Sequence, residues 1–232
     1  MKKNNCRMCK SKNMERFLDL DFSALSDNFL TSDQLDESET FFPLTVNTCL
    51  DCGLCQLGYV VPPELMFNKD YPYDSSTTKM GREHFTKMGI DICDRFNLEK
   101  NSLIIDIGSN SGVLLAAFQS KNMKVLGIEP SSKLANIAID RGIDSIIEFF
   151  SEKLVKEILD GYGKSSIITG TNVFAHIDDL DDFIPQLWSK GIIDYMEEQF
   201  VLANIVDTSL SALVKAKGDI VNIFQSPRGR CG

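Results

Sequence analysis

No apolar stretch in this 232-residue chain approaches the roughly 18 residues that would suggest a membrane-spanning helix, so no membrane partner is expected. The start, Met1-Lys2-Lys3-Asn4-Asn5-Cys6, carries positive charge but no apolar run of the signal-peptide kind after it, which points to a cytoplasmic setting. Basic charge is in short supply, with 24 lysines and arginines against 33 acids and a formal net charge of −9. Non-specific nucleic-acid binding needs a broad cationic surface, so no nucleic-acid partner is expected either. The basic residues that exist gather at one end: Lys2, Lys3, Arg7, Lys10, Lys12 and Arg16 precede residue 17 with only Glu15 opposing them. This cluster could touch phosphate; the plainer reading is that it offsets the negative charge of a metal–thiolate centre. Histidine is scarce, with only His84 and His176, and neither internal repeats nor low-complexity tracts occur.

Seven cysteines are present, and without an export signal they read as reduced thiols available to metal. Cys6-Arg7-Met8-Cys9 and Cys49-Leu50-Asp51-Cys52-Gly53 form two C-x2-C units, able to supply four thiolates to one tetrahedral zinc. A knuckle of this kind needs a tight turn after its second cysteine, which Gly53 suits and Lys10 suits less well. An all-sulfur set leaves no open coordination position, so the metal is structural. Cys55 reads as a packed thiol, and Cys93 and Cys231 have no partner at ligand spacing. Pro62, Pro63 and Pro72 interrupt any long helix in residues 1–70, which read as irregular and unable to close a core without the metal.

A helical pattern carrying Phe85, Met88, Ile92 and Phe96 on one face follows a domain junction near residue 75. From residue 103 strands and helices alternate: strands at 103–107, 124–129, 143–147 and 165–171, and helices at 112–122, 130–142 and 151–159. This order predicts an α/β fold, a doubly wound parallel sheet of the Rossmann-like kind, behind a small zinc-binding domain. The first strand runs into Asp106-Ile107-Gly108-Ser109-Asn110-Ser111-Gly112, where Gly108 and Gly112 let backbone approach a ligand. Asn110 replaces the middle glycine of a dinucleotide fingerprint; the D-x-G-x-x-x-G turn instead resembles motif I of class I methyltransferases, which bind S-adenosylmethionine. Glu129 closes the second strand, placed to accept ribose hydroxyls. The segment Thr171-Asn172-Val173-Phe174-Ala175-His176 follows the fourth strand and should line the crevice beside the first, with His176 able to accept a proton near neutral pH. His84 reads as a structural residue of its helix.

Together with Leu25-Ser26-Asp27-Asn28-Phe29, Tyr71-Pro72-Tyr73-Asp74-Ser75-Ser76 and Gly127-Ile128-Glu129-Pro130-Ser131-Ser132, these segments resemble the sugar C-methyltransferases that act on nucleotide-linked deoxy-ketosugars. The resemblance runs from Cys6 to Leu187. It implies a domain of residues 1–74 holding zinc through Cys6, Cys9, Cys49 and Cys52. It implies a methyltransferase domain of residues 75–198 holding S-adenosylmethionine through Asp106, Gly108, Asn110, Gly112, Glu129 and Asn172. It further implies a nucleotide-sugar substrate, with His176 transferring a proton and Tyr73 stabilising an enolate oxygen. After Leu187 the family's Tyr-x-Glu-His segment has no counterpart, since no Glu-His pair occurs and no histidine follows His176. Residues 199–232 thus read as divergent, with a strand at 200–206, a short helix near Leu210 and a strand at 220–224. The alternative to an active enzyme is a relic that binds zinc and S-adenosylmethionine as a partner or regulator.

Overall fold

Leu103-Ile104-Ile105-Asp106-Ile107 is buried at every position, as expected of a central strand covered on both faces. In the computed structural model, which describes residues 1–67, 71–173, 176–179, 181, 183 and 200–201, this run sits at the middle of a five-stranded parallel sheet. Numbered along the chain, its strands are β4 (Leu103–Ile107), β5 (Lys124–Ile128), β6 (Ser145–Ile146), β7 (Ile167–Thr169) and β8 (Phe200–Val201), in the order β6-β5-β4-β7-β8. The order reverses direction between β4 and β7, which places a crevice at the carboxyl ends of those two strands. Alternation along β4 divides the core. Leu103, Ile105 and Ile107 pack with Leu154, Val155 and Ile158 of α5 (Glu152–Gly161). Ile104 packs on the opposite face with Leu114, Leu115 and Phe118 of α3 (Val113–Ser120), and Ala138 of α4 (Ser132–Asp140) joins them.

The helix anticipated after residue 75 is α2 (Lys79–Arg95), capped by Thr78, whose Oγ1 accepts from the Gly81 N–H. Ile92 is buried against α3, with Phe85, Met88 and Phe96 partly buried around it. The two helices approach closely where Gly89 meets Ala117, since a Cβ on Gly89 would stand 2.7 Å from the alanine methyl. Of the tail, only Phe200–Val201 of the strand expected at 200–206 are described, as β8; residues 202–206, the helix near Leu210 and the strand at 220–224 lie outside the described residues.

Residues 1–67 are more regular than their composition suggested. They form an antiparallel sheet of β1 (Met14–Ala24), β2 (Phe41–Cys49) and β3 (Cys55–Leu57), followed by the short α1 (Pro63–Met66). Leu18-Asp19-Leu20-Asp21-Phe22 alternates at strand period, but two register shifts interrupt its pairing, the second beside Asp21 at φ 57°. Pro43 is tolerated because β3 pairs only with Val46, Asn47 and Thr48, leaving Pro43 with no partner on that side. Little apolar surface is buried here. Cys6, Cys49 and Leu54 form the whole buried cluster, with Met8, Met14 and Cys52 around them, while Phe17, Leu20 and Phe22 stay exposed. Among the described residues no helix is long and apolar enough to cross a membrane.

Candidate functional site

The four cysteines of the two knuckles converge, with all sulfur atoms within 4.8 Å of one another. Cys6 and Cys52 stand 3.6 Å apart and Cys9 and Cys49 3.5 Å apart. Zinc–sulfur bonds of about 2.3 Å set tetrahedral edges near 3.8 Å, so the sulfur set fits zinc. The knuckles share one turn: the Lys10 N–H donates to the Cys6 carbonyl and the Gly53 N–H to that of Cys49. Lys10 adopts the same left-handed backbone as glycine, at φ 63° against 78° for Gly53. Burial raises the Cys49 thiol, but the N–H groups of Cys52 and Asp51 and the neighbouring thiols outweigh it and bring the pKa to about 7. Cys55, expected to be packed, is instead exposed opposite Thr48, because β3 turns its side chain away from the cluster.

The second centre is built on the turn after β4. Gly108, Asn110 and Gly112 all take left-handed backbone, at φ 67°, 52° and 75°. A Cβ on Gly108 would come within 2.7 Å of a Val173 methyl, and one on Gly112 within 3.0 Å of Ala138, so positive φ favours glycine at both and the space there is tight. Glu129, only 5% exposed, reaches across from the end of β5. Its Oε2 accepts from the Asn110 N–H at 2.8 Å and its Oε1 from the Ser131 N–H at 2.8 Å. Burial raises its pKa, while the two N–H groups pull the other way. A carboxylate offers about four acceptor positions, so two remain for hydroxyl donors such as those of a ribose. The turn, the close-fitting glycines and this carboxylate therefore fit S-adenosylmethionine. Asp106, fully buried in β4, accepts from Thr169 Oγ1 at 2.7 Å; burial pushes its pKa up to about 7 despite that bond, and the nearby Glu129 adds to the rise.

A strap of residues 71–78 lies over this turn, and Asn110 fastens it. The Asn110 Oδ1 accepts from the Ser75 N–H at 2.9 Å, the Ser75 hydroxyl at 3.1 Å and the Ser111 N–H at 2.8 Å. Its Nδ2 donates to the Tyr73 carbonyl at 2.8 Å. Ser111 Oγ donates to Asp74 Oδ1, and Arg141 bridges the Ser111 carbonyl at 2.6 Å and Ser76 Oγ at 2.8 Å. Arg82 grips the Ser76 carbonyl at 2.6 Å. The Asn110 side chain is thus committed to the strap, a role its position in the glycine turn did not reveal. Ser75, Ser76 and Ser111 stand in segments that the sequence singled out without a role for them, and Arg141 carried no signal there.

Tyr73 is anchored through its backbone, while the residue as a whole is 55% exposed. Tyr71, two residues earlier, is the more enclosed phenol. Its ring lies 5.3 Å from Phe67, whose other neighbour is His176 at 5.8 Å, both edge to face. Burial raises the Tyr71 pKa, with smaller contributions from Asp27, Glu129 and Tyr73. His176 is exposed at its rim, yet partial burial and then the Arg7 guanidinium hold its pKa below the usual imidazole value. Asn172, at φ 58° and exposed, stands after β7 beside the glycine turn's side of the sheet. His84 is exposed on α2, against Phe85.

A parallel sheet in this order, with a glycine turn after β4 and an acid closing β5, is the Rossmann-like arrangement of a class I methyltransferase fold. Residues 6–67 match the family described as "Putative zinc binding domain". Over 182 residues, 78% of this chain, the sequence is 30% identical to C-methyltransferase NovU of Streptomyces niveus. The chain is thus similar to a C-methyltransferase over most of its length and to a zinc-binding family over residues 6–67. It spans 43% of the length of that relative. Solved structures of similar shape include magnesium protoporphyrin IX methyltransferase from Synechocystis PCC 6803 with bound SAH, at 16% identity and TM-score 0.42, covering 63% of this chain and 69% of that one. Precorrin-6y C5,15-methyltransferase from Geobacter metallireducens GS-15 is another, at 16% identity and TM-score 0.41, covering 60% and 69%.

Proposed function

We propose that this chain carries out S-adenosylmethionine-dependent methylation of the carbon next to the ketone of a nucleotide-linked deoxysugar in the cytoplasm. The observation that carries the reading is the join between the two halves of the crevice. Asn110 bonds through its backbone to Glu129, the candidate ribose carboxylate, and through its side chain to the strap that bears Tyr73. When bound, S-adenosylmethionine supplies an electrophilic methyl group on a sulfonium. The chain's residues would prepare the acceptor. His176, held below its ordinary pKa and so neutral at pH 7, takes the proton from the carbon beside the ketone through a ring nitrogen. The electron pair left behind delocalises onto the ketone oxygen, and the Tyr73 hydroxyl donates to that enolate oxygen. Gly108, Gly112 and Glu129 would hold the donor, which would supply the methyl to that carbon, its methyl–sulfur bond breaking to leave S-adenosylhomocysteine as the carbonyl re-forms. Strap and glycine turn together fix the alignment.

Two measurements separate the parts of this reading. Calorimetric titration with S-adenosylhomocysteine tests the cofactor site. Proton NMR of a 4-ketodeoxysugar nucleotide in D2O with the protein tests the base, since exchange at the neighbouring carbon requires no methyl donor. Exchange that His176→Asn abolishes supports the assignment; exchange at the uncatalysed rate with the intact protein rejects it. Cofactor binding without exchange or turnover would make the chain a binding protein instead.

A further inference from the structure

The basic cluster at the amino end found no use in the cofactor or substrate site, and the structure shows where three of its members go. Lys3 Nζ pairs with Asp178, and both side chains are about three-quarters buried, at 27% and 25% exposure. Lys10, the left-handed residue of the first knuckle, pairs with Asp181. Between them Arg7, inside the first C-x2-C loop, donates from its guanidinium to the Ile177 carbonyl at 2.9 Å. Arg7 is itself fixed from behind: its N–H donates to Gln56 Oε1 at 2.8 Å, and Gln56 Nε2 donates to the Asn5 carbonyl at 3.0 Å. Gln56 is 5% exposed and lies on β3, so this clamp belongs to the zinc module's own sheet. All three cationic contacts land within five residues after His176.

We infer that Arg7, with Lys3, is a positioning residue: the first zinc knuckle is the mount that holds the His176 turn at the crevice. This rests on the reading of His176 as proton acceptor only for its consequence in catalysis. The contact itself is a matter of structure and is tested without turnover. The 176–181 segment has one backbone bond inside the crevice end, His176 N–H to the Val173 carbonyl, and one helical bond, Phe183 N–H to the Asp179 carbonyl. Ile177 packs against the sheet core and Phe67 stands edge-on to His176, while the cationic contacts to Ile177, Asp178 and Asp181 come from Arg7, Lys3 and Lys10, 170 or more positions earlier in the chain. Cys6 and Cys9 flank Arg7, so the geometry of the metal sets the loop from which Arg7 reaches. Phe67 closes the other side of the imidazole. Zinc thereby acts on the acceptor half of the crevice without touching substrate.

The test uses the zinc-loaded chain and follows amide exchange at His176 and Phe183 together with imidazole titration by NMR. Only two histidines are present, and His84 on α2 serves as the internal control. Charged and titratable groups around the turn are Lys3, Arg7 and Lys10 from the knuckle, Asp178, Asp179 and Asp181 from its own segment, and Tyr71 beyond Phe67. Arg7→Met should speed exchange of the His176 amide by about tenfold or more, the scale of one hydrogen bond to a charged group. It should also raise the His176 titration midpoint, leave His84 unmoved and keep one zinc per chain. Arg7→Lys, which keeps the charge, should retain most of the midpoint. Unchanged exchange and midpoint in zinc-replete Arg7→Met would overturn the inference. Should Arg7→Met lose the metal, the charge pair decides: Lys3→Glu should loosen the same amides, and Lys3→Glu with Asp178→Lys should restore them. Failure of the exchanged pair to restore protection rejects the mount, whatever the fate of the enolate mechanism.

Discussion

Replacing Asn110 separates backbone from side chain at the centre of the crevice. Its amide makes four side-chain hydrogen bonds, three accepted by Oδ1 and one donated by Nδ2, and three of the four reach the strap. At a net 0.5–1.5 kcal/mol each, and with neighbours that do not add in full, removal should lower the free energy of opening the strap by about 2–3 kcal/mol. The residue also sits at φ 52°, where an alanine costs a further ~1 kcal/mol and a glycine does not. Asn110→Gly thus reports the side chain alone, and Asn110→Ala the side chain plus backbone strain. The Ser75 amide is the direct probe, because its N–H donates to the missing oxygen; Ser76, whose N–H goes to Asp74, reports the rest of the strap. Native-state hydrogen exchange should show roughly thirtyfold or greater loss of protection at Ser75 in Asn110→Gly, following from about 2 kcal/mol. Asn110→Ala should in addition be globally less stable to urea. Wild-type protection of Ser75 in the glycine variant would refute the assignment of Asn110 as the fastener.

Three further outcomes follow from the same geometry. Cys49→Ser should release zinc and loosen residues 1–67, because Cys6, Cys49 and Leu54 are too small a cluster to hold the module alone; metal analysis showing undiminished zinc refutes the site. Glu129→Ala should weaken S-adenosylhomocysteine binding by about 1.5–3 kcal/mol in calorimetry, and equal affinity would remove Glu129 from the ribose. Asp106 has its pKa raised from 3.8 to about 7, so the folded chain keeps a proton that the unfolded chain releases. Its stabilising contribution is complete below pH 4 and disappears as pH rises through 7, at most about 4 kcal/mol over that window. Asp106→Asn keeps the acceptor for Thr169 and lacks this loss, so its stability relative to wild type in urea melts should grow from pH 4.5 to 8. A difference that stays constant with pH would sink the assignment.

Much of the crevice was legible because its determinants are local. The buried run at 103–107, the left-handed positions at Gly108 and Gly112, and the acid ending β5 follow one another within 27 residues, and each has a physical signature of its own. The paired C-x2-C units were equally plain, since ligand spacing is a matter of a single turn. The antiparallel sheet of residues 14–57 was harder to read. Its apolar residues are exposed, its register slips twice, and a proline sits in its central strand. Burial, the usual guide to strand periodicity, gives no help there.

The sequence by itself determined which chemistry the chain can offer: four thiolates, a glycine turn with an acid beyond it, two tyrosines and one histidine after a strand. Tertiary structure decided what each group does. It gave Asn110, a ligand candidate, the tie between turn and strap, made Tyr71 the enclosed phenol, and carried Lys3 and Arg7 to the His176 segment. The ties of Asn110 to the strap and of Lys3 and Arg7 to the His176 segment join residues 35 to 175 positions apart, whose partners are chosen by packing and charge in three dimensions rather than by any local pattern.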